Sequence, residues 1–364
     1  MLYIIGVTIT FFLVLLLAGK QHKTEADKIL AIWLSITGIH LLLFYVNVTQ
    51  QYVQFPYLLG FELPLPLVHV PFLYLYTASL TDQSSPNKFK ILHFLPFFAI
   101  YVLFFNFLTS PLTYKIQVYQ LKGQGYEWQR NLMNVAIIIS GVIYIALSLW
   151  LLRKHRKNIV GQFSNIEKIN LNWLRYLIYG TAGIWIFVIF GIDELIYGSV
   201  VVYMLFLGYF GIRQVGIFTH FHPVVIHQAN IPNEVKYQKS GLSEEAARSI
   251  HKELTQLMQE KKMYQNPEIT LSELSQKLNV HPNILSQVIN SLEQKNFFDY
   301  INSQRVEMFK KIVTLPENQK FTLLSLAYEC GFNSKTTFNR NFKKATGLSP
   351  SEYLQHENIV IDNS

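Results

Sequence analysis

Apolar and polar positions follow two different rhythms along this chain of 364 residues, and the change comes near residue 220. Before it, seven apolar runs succeed one another: Leu2 to Ala18, Ile29 to Thr49, Leu63 to Thr81, Ile91 to Thr109, Leu132 to Leu152, Leu174 to Ile192, and Tyr197 to Phe218. Runs of about 20 apolar residues are long enough to cross a bilayer as helices, so this pattern predicts seven spans. Pro64, Pro66 and Pro71 interrupt the third run, which membrane helices tolerate. Beyond residue 240 the apolar residues instead recur at three- and four-residue steps, the period of short amphipathic helices packed in water.

Helix punctuation in this second part is explicit. Ser243 is placed to cap a helix through about Met263, with Ala247, Ile250, Leu254 and Leu257 on its inner face. Thr270-Leu271-Ser272-Glu273 reads as a capping box for a short helix to Leu278, and after a break at Asn279-Val280, Pro282 suits the first turn of another to about Leu292. A short helix, a tight break and a second helix make a helix-turn-helix. A longer helix, Phe297 to about Val313, follows, and the pattern repeats: Thr322 opens a helix through Tyr328, Gly331 stops it, and Ser334 caps another to about Thr346. Ser349-Pro350-Ser351-Glu352 is a further capping box starting a closing helix.

Charge changes this picture in two ways. The polar part is only mildly basic: residues 1–235 carry 15 Lys/Arg against 9 Asp/Glu and residues 236–364 carry 16 against 14, so a nucleic-acid reading must rest on how charges are distributed over helix faces. In the apolar part every second loop is basic: Lys20, Lys23 and Lys28, then Lys88 and Lys90, then Arg153, Lys154, Arg156, Lys157 and Lys168. By the positive-inside rule those loops face the cytoplasm, which with seven spans puts the N-terminus outside and the C-terminal domain inside. The first run lacks a basic n-region and a cleavage site, and reads as a retained span. The single cysteine, Cys330, excludes an intrachain disulfide and reads as a small buried residue.

Candidate chemistry is uneven. On the second helix of the first unit Asn283, Ser286, Gln287 and Asn290 share a face, and amides pair well with adenine edges. Lys335, Thr336, Asn339 and Arg340 point out together in the second unit, flanked by Lys343 and Lys344. In the apolar part His40 and His69 lie deepest, open to a hydrogen-bonded packing role or to ligand or proton sensing. Glu62, Asp193 and Glu194 sit at outer span ends, and Arg175 and Arg213 are placed to snorkel. His220, His222 and His227 have no carboxylate or cysteine beside them, so they read as an interfacial linker rather than a metal site. No catalytic, nucleotide-binding or metal motif is present, and no enzyme activity, cofactor or metal is expected.

From Gly331-Phe332-Asn333-Ser334-Lys335-Thr336-Thr337-Phe338-Asn339-Arg340-Asn341-Phe342-Lys343-Lys344 through Gly347-Leu348-Ser349-Pro350-Ser351-Glu352-Tyr353 the sequence resembles the signature of the AraC/XylS family of transcription factors. The resemblance implies two homeodomain-like helix-turn-helix units joined by a helix and entering successive major grooves. By position, base contacts fall to Asn283, Ser286 and Gln287, and to Lys335, Thr336, Asn339 and Arg340. Gln287 and Asn290 stand where such proteins often carry basic residues, which shifts the expected phosphate grip to the second unit. The apolar part resembles the multi-span portion of membrane-attached AraC-like proteins of Bacteroidetes, notably in Pro71-Phe72-Leu73-Tyr74-Leu75-Tyr76 and Gly208-Tyr209-Phe210-Gly211-Ile212-Arg213-Gln214.

The expected fold is therefore all-α: a seven-helix transmembrane bundle (1–218), a linker (219–240), a soluble bipartite helix-turn-helix domain (241–356) and a tail (357–364). The expected function is a one-component transcription regulator of the bacterial inner membrane. Its partners would be double-stranded DNA, the lipid bilayer, and a ligand or membrane partner whose signal acts by reorientation or homodimerisation of the tethered domain. Two other readings stand beside it: the apolar part as a passive anchor or partner platform, or as a transporter with a regulatory tail.

Overall fold

The computed structural model describes residues 2–84, 86–167, 169–213 and 242–359. The linker expected at 219–240, with His220, His222 and His227, lies outside the described residues, as do most of the tail and the Arg213 side chain. Among the described residues the chain is all-helical, without a β-strand, and an isolated antiparallel bridge joins Phe163 and Thr270. Two compact units form: Met1–Lys154 with Leu171–Val225, and His155–Asn170 with Ile226–Ser364. The loop between the fifth and sixth apolar runs is thus part of the C-terminal unit.

In the first unit the main helices are α1 (Leu2–Ala18), α2 (Glu25–Val48), α3 (Pro66–Leu80), α4 (Leu95–Leu103), α5 (Leu112–Gln120), α6 (Glu127–Gln162, its end from His155 belonging to the second unit), α7 (Asn172–Phe190) and α8 (Asp193–Arg213). The start of α2 is fixed by a capping box between Thr24 and Asp27, and the Asp27 carboxylate also holds the buried Lys20 ammonium at 2.9 Å. Leu13, Leu30, Leu67, Leu73, Leu174 and Ile178 form the packed interior.

Three of the described helices, α2, α6 and α7, are long and apolar enough to cross a membrane, not the seven that run length predicts. Three of the shortfalls have a local cause. The 17 residues of α1 span about 25 Å at the α-helical rise, less than the roughly 30 Å of a hydrocarbon core. Helix α3 begins only at Pro66, after turns and short 3₁₀ segments that take up the preceding residues. The fourth run breaks at Phe104, whose backbone (φ −98°, ψ 13°) separates α4 from the turn Phe105–Leu108. The long helices carry aliphatic side chains outward, among them Ile32 and Ile39 on α2, Val135, Ile139, Val142 and Ile143 on α6, and Ile186 and Ile189 on α7, the reverse of a water-soluble surface.

The second unit follows the punctuation closely. Its helices are α9 (Glu244–Lys261), α10 (Leu271–Lys277), α11 (Pro282–Glu293), α12 (Phe297–Val313), α13 (Leu323–Glu329), α14 (Lys335–Thr346) and α15 (Pro350–His356). Ser243, Thr270, Thr322, Ser334 and Ser349 each accept a backbone N–H of the first turn. The Ser349–Glu352 box closes in both directions, whereas at Thr270 only the hydroxyl arm forms. The cap of α11 is His281, whose Nδ1 accepts the Asn283 N–H at 3.2 Å. Helix α12 runs between two cores: Leu254, Leu274, Leu285, Ile289 and Ile301 in one, and Phe309, Leu326, Phe338 and Phe342 in the other.

Candidate nucleic-acid interface

Helix α14 presents two faces because its apolar residues are four apart. Phe338 and Phe342 turn inward onto Phe309, with ring centroids 4.7 and 5.5 Å away. The opposite face follows from that constraint. Lys335, Thr336, Asn339, Arg340, Lys343 and Lys344, all six residues singled out on this helix, line one shallow hollow of ≈ 710 Å³. Four cations and two side chains able to bond base edges therefore share one surface, the arrangement that phosphate and base contacts require.

The six are not equivalent. Lys344 donates to Asp299 on α12 at 2.7 Å, so part of its charge is already answered. The Arg340 guanidinium lies 5.7 Å over the Phe298 ring, which orients it without neutralising it. Hydrogen bonds from the Ser349 backbone hold the Glu352 carboxyl below the usual carboxylate range, and Lys343 adds to the effect.

On α11 the inward residues are Leu285, Val288 and Ile289. Asn283, Gln287 and Asn290 are exposed and Ser286 is half-buried, with Asn290 Nδ2 donating to Ser286 Oγ at 3.3 Å. This face carries amides and a hydroxyl but no cation. His251 on α9 bonds the Glu293 carboxylate at 2.7 Å and ties down the helix end.

Between the two helices, sequence reasoning missed a buried group that ties α12 to the turn before α10. Arg305 on α12 is 1% exposed and its guanidinium donates to four acceptors: Tyr264 O at 2.7 Å, Asn266 O at 2.9 Å, Asn302 Oδ1 at 3.2 Å and Ser164 Oγ at 3.2 Å. Burial lowers its pKa to about 10, which leaves it charged at neutral pH. Burial also pushes the Cys330 thiol up to about 12, consistent with a small packed residue.

Ser164 belongs to the 155–170 segment, which docks on this unit along its length. Ser164 N–H donates to Ile269 O, Asn165 Nδ2 donates to Glu268 at 3.0 Å, and Ile159 and Ile166 pack on Phe298. At the far end Glu167 accepts hydrogen bonds from the hydroxyls of Ser334 and Thr337, placing a carboxylate at the N-terminus of α14. The available signal was the recurrence of Ile159, Phe163 and Ile166 inside an otherwise basic loop.

In the first unit the structure brings His40 and His69 together: His40 Nδ1 and His69 Nε2 are 2.9 Å apart. Both line a cavity of ≈ 750 Å³, with Glu62, Asp193 and Glu194 also on its wall. Glu62 accepts from the Tyr119 hydroxyl and from Gly60 N–H at 3.1 Å.

No solved structure matches this chain. Two bacterial proteins are similar over parts of its length. One is an uncharacterised HTH-type transcriptional regulator, YijO, of Escherichia coli (strain K12), 33% identical over 85 residues. The other is an uncharacterised HTH-type transcriptional regulator, YtdP, of Bacillus subtilis (strain 168), 28% identical over 90 residues. These matches cover 23% and 25% of this chain, and only 29% and 11% of the respective relatives. Residues 274–356, which include both outward helix faces and the arginine between them, match the family described as helix-turn-helix domain.

Proposed function

We propose that this protein is a membrane-embedded, one-component transcription regulator that binds promoter DNA sequence-specifically through α11 and α14, with the first unit as the sensor. The observation that carries the DNA half is the gathering of Lys335, Thr336, Asn339, Arg340, Lys343 and Lys344 around one hollow within a helix-turn-helix domain. Phosphate grip comes from Lys335 and Lys343, base reading from Asn339 and Arg340, and amide readout without charge from Asn283 and Gln287. Affinity is concentrated on the second helix-turn-helix and salt dependence with it.

Membrane embedding draws support from the outward aliphatic surface of α2, α6 and α7 and from the alternating basic loops. Sidedness then rests on the Arg153–Lys157 loop, the most basic of the three, and requires α7 and α8 to cross as a pair. Residues 155–170 follow the Arg153–Lys157 cluster assigned to the cytoplasm and pack within the same unit as the DNA-binding helices. A loop and the domain it packs into share one compartment, so the positive-inside rule reaches the domain through a second route. The reading places the chain in the bacterial inner membrane with its C-terminal unit in the cytoplasm.

Genome-wide mapping of bound DNA in cells making the full chain or the Arg340→Ala variant tests the reading. Discrete promoter sites that the variant loses are expected; an unchanged occupancy map would refute it. Release of residues 236–364 from the rest then tests the sensor: regulation that no longer answers to the signal supports it, and unchanged regulation makes the first unit a passive anchor.

A further inference from the structure

The cavity of the first unit contains a hydrogen-bond chain whose direction can be deduced. Trp33 Nε1 bonds His69 Nδ1 at 3.3 Å, His69 Nε2 meets His40 Nδ1 at 2.9 Å, and His40 Nε2 meets the Tyr197 hydroxyl at 2.7 Å. An indole N–H can only donate, and a neutral imidazole has one donor and one acceptor nitrogen. His69 Nδ1 is therefore an acceptor, and its proton is on Nε2, which donates to His40 Nδ1. His40 in turn carries its proton on Nε2 and donates to the Tyr197 oxygen. Each tautomer is dictated by the neighbour before it, back to the one group that cannot reverse.

The consequence appears at the open end. With its oxygen accepting from His40, Tyr197 has its own O–H proton left to donate, and it has no acceptor for that proton among the described residues. A donor without an acceptor is costly away from water and is satisfied by whatever occupies the space beside it. That space is the ≈ 750 Å³ cavity, which Trp33, His40, His69 and Tyr197 all line. Much of the wall is apolar, including Leu41, Phe104, Met133, Ile137, Trp185 and Met204. Carboxyl groups of Glu62, Asp193 and Glu194 on the same wall outnumber the cations of Lys122 and Arg130, which disfavours an anionic guest.

The geometry points to a binding site for an uncharged molecule with an apolar body and a terminal oxygen acceptor, of the ketone or ester class, whose oxygen takes the Tyr197 hydroxyl proton. The chain Trp33–His69–His40 is the positioning device: it fixes which way Tyr197 faces its proton, and a cavity of this size falls within the ordinary range for small-molecule sites. This inference rests on the sensor reading only for its regulatory meaning; the site itself stands on the cavity and the polarised chain.

The test uses the full chain in lipid nanodiscs and methyl nonyl ketone as the probe, its carbonyl labelled with heavy carbon so that its infrared band is separated from the protein's amide bands. A carbonyl band shifted to lower frequency is expected in the wild type and absent in Tyr197→Phe, with about tenfold weaker binding for the variant, the loss of one hydrogen bond. Undecane, which has no acceptor, should bind both proteins equally. Trp33→Phe keeps Tyr197 but frees the chain to reverse, and should also lose the shifted band; this second variant guards against a folding defect at Tyr197. Equal ketone affinity and identical bands in wild type and Tyr197→Phe would overturn the assignment, as would undecane binding as tightly as the ketone. Ketone binding that leaves retention of genomic DNA fragments unchanged would uphold the site and refute the sensor.

Discussion

Replacing Arg305 by Met keeps a long side chain in place and removes every donor of the guanidinium. The buried backbone carbonyl of Tyr264 and the part-buried one of Asn266 then lose the donors that reach them at 2.7 and 2.9 Å. The unsatisfied Tyr264 carbonyl costs about 1–3 kcal/mol, the bonds lost to Asn266, Asn302 and Ser164 add to it, and relief from burying a charge returns part, so a net loss of about 2–4 kcal/mol is expected. Arg305→Lys does not rescue it, because an ammonium has no planar fork to reach four acceptors on different segments. The measurement is amide hydrogen exchange of the full chain in nanodiscs, read over residues 263–278 and 297–313. A loss of about 3 kcal/mol raises the open population roughly a hundredfold, visible as lost protection in both segments together. Protection unchanged in Arg305→Met would refute the assignment of Arg305 as the group that ties α12 to the turn before α10.

Further outcomes follow from individual contacts. Arg340→Ala should cost about 1–3 kcal/mol and relax sequence preference, whereas Lys343→Ala should weaken all sequences alike and reduce the salt slope, both read by fluorescence anisotropy. Because Lys344 is already paired with Asp299, Asp299→Asn should free a cation and tighten DNA binding at low salt. Glu167→Gln removes a carboxylate from the start of α14, and several-fold tighter binding that fades at high salt is expected from charge alone. For Cys330 the folded thiol ionises near 12 and the free thiol at 9.0, so above pH 9 the unfolded chain holds fewer protons and stability falls. By pH 10 the loss is about 1.4 kcal/mol, measured by hydrogen exchange, and Cys330→Ala should abolish that pH dependence.

Legibility varied with the range of the interaction. Helix starts in the second unit were readable because a cap joins residues three apart, as in Ser334 to Thr337 or Ser349 to Glu352. Once Phe338 and Phe342 are placed inward, the outward residues of α14 follow from periodicity alone. His281 as a cap was missed because histidine is an uncommon one, and its role shows only in the bond to Asn283. The count of long spans failed because hydropathy registers apolar content, while Phe104 and the turns before Pro66 break helices inside apolar sequence.

The all-helical character of the described residues, the helix boundaries of the C-terminal unit and the chemistry of its exposed helix faces are legible in the sequence, since each depends on neighbours within one or two turns. Folding alone brings Ser164 and Glu167, far away in sequence, to Arg305 and the start of α14. It also decided that Trp33, His69, His40 and Tyr197 form one directed chain. Gly331 belongs to both: its left-handed backbone (φ +95°) was expected at a helix stop, but a Cβ there would also lie 2.4 Å from Tyr264 O, in the turn before α10. The physical reason is range: capping and periodicity are encoded between adjacent residues, whereas long-range partners are selected by packing and are invisible until the chain has closed on itself.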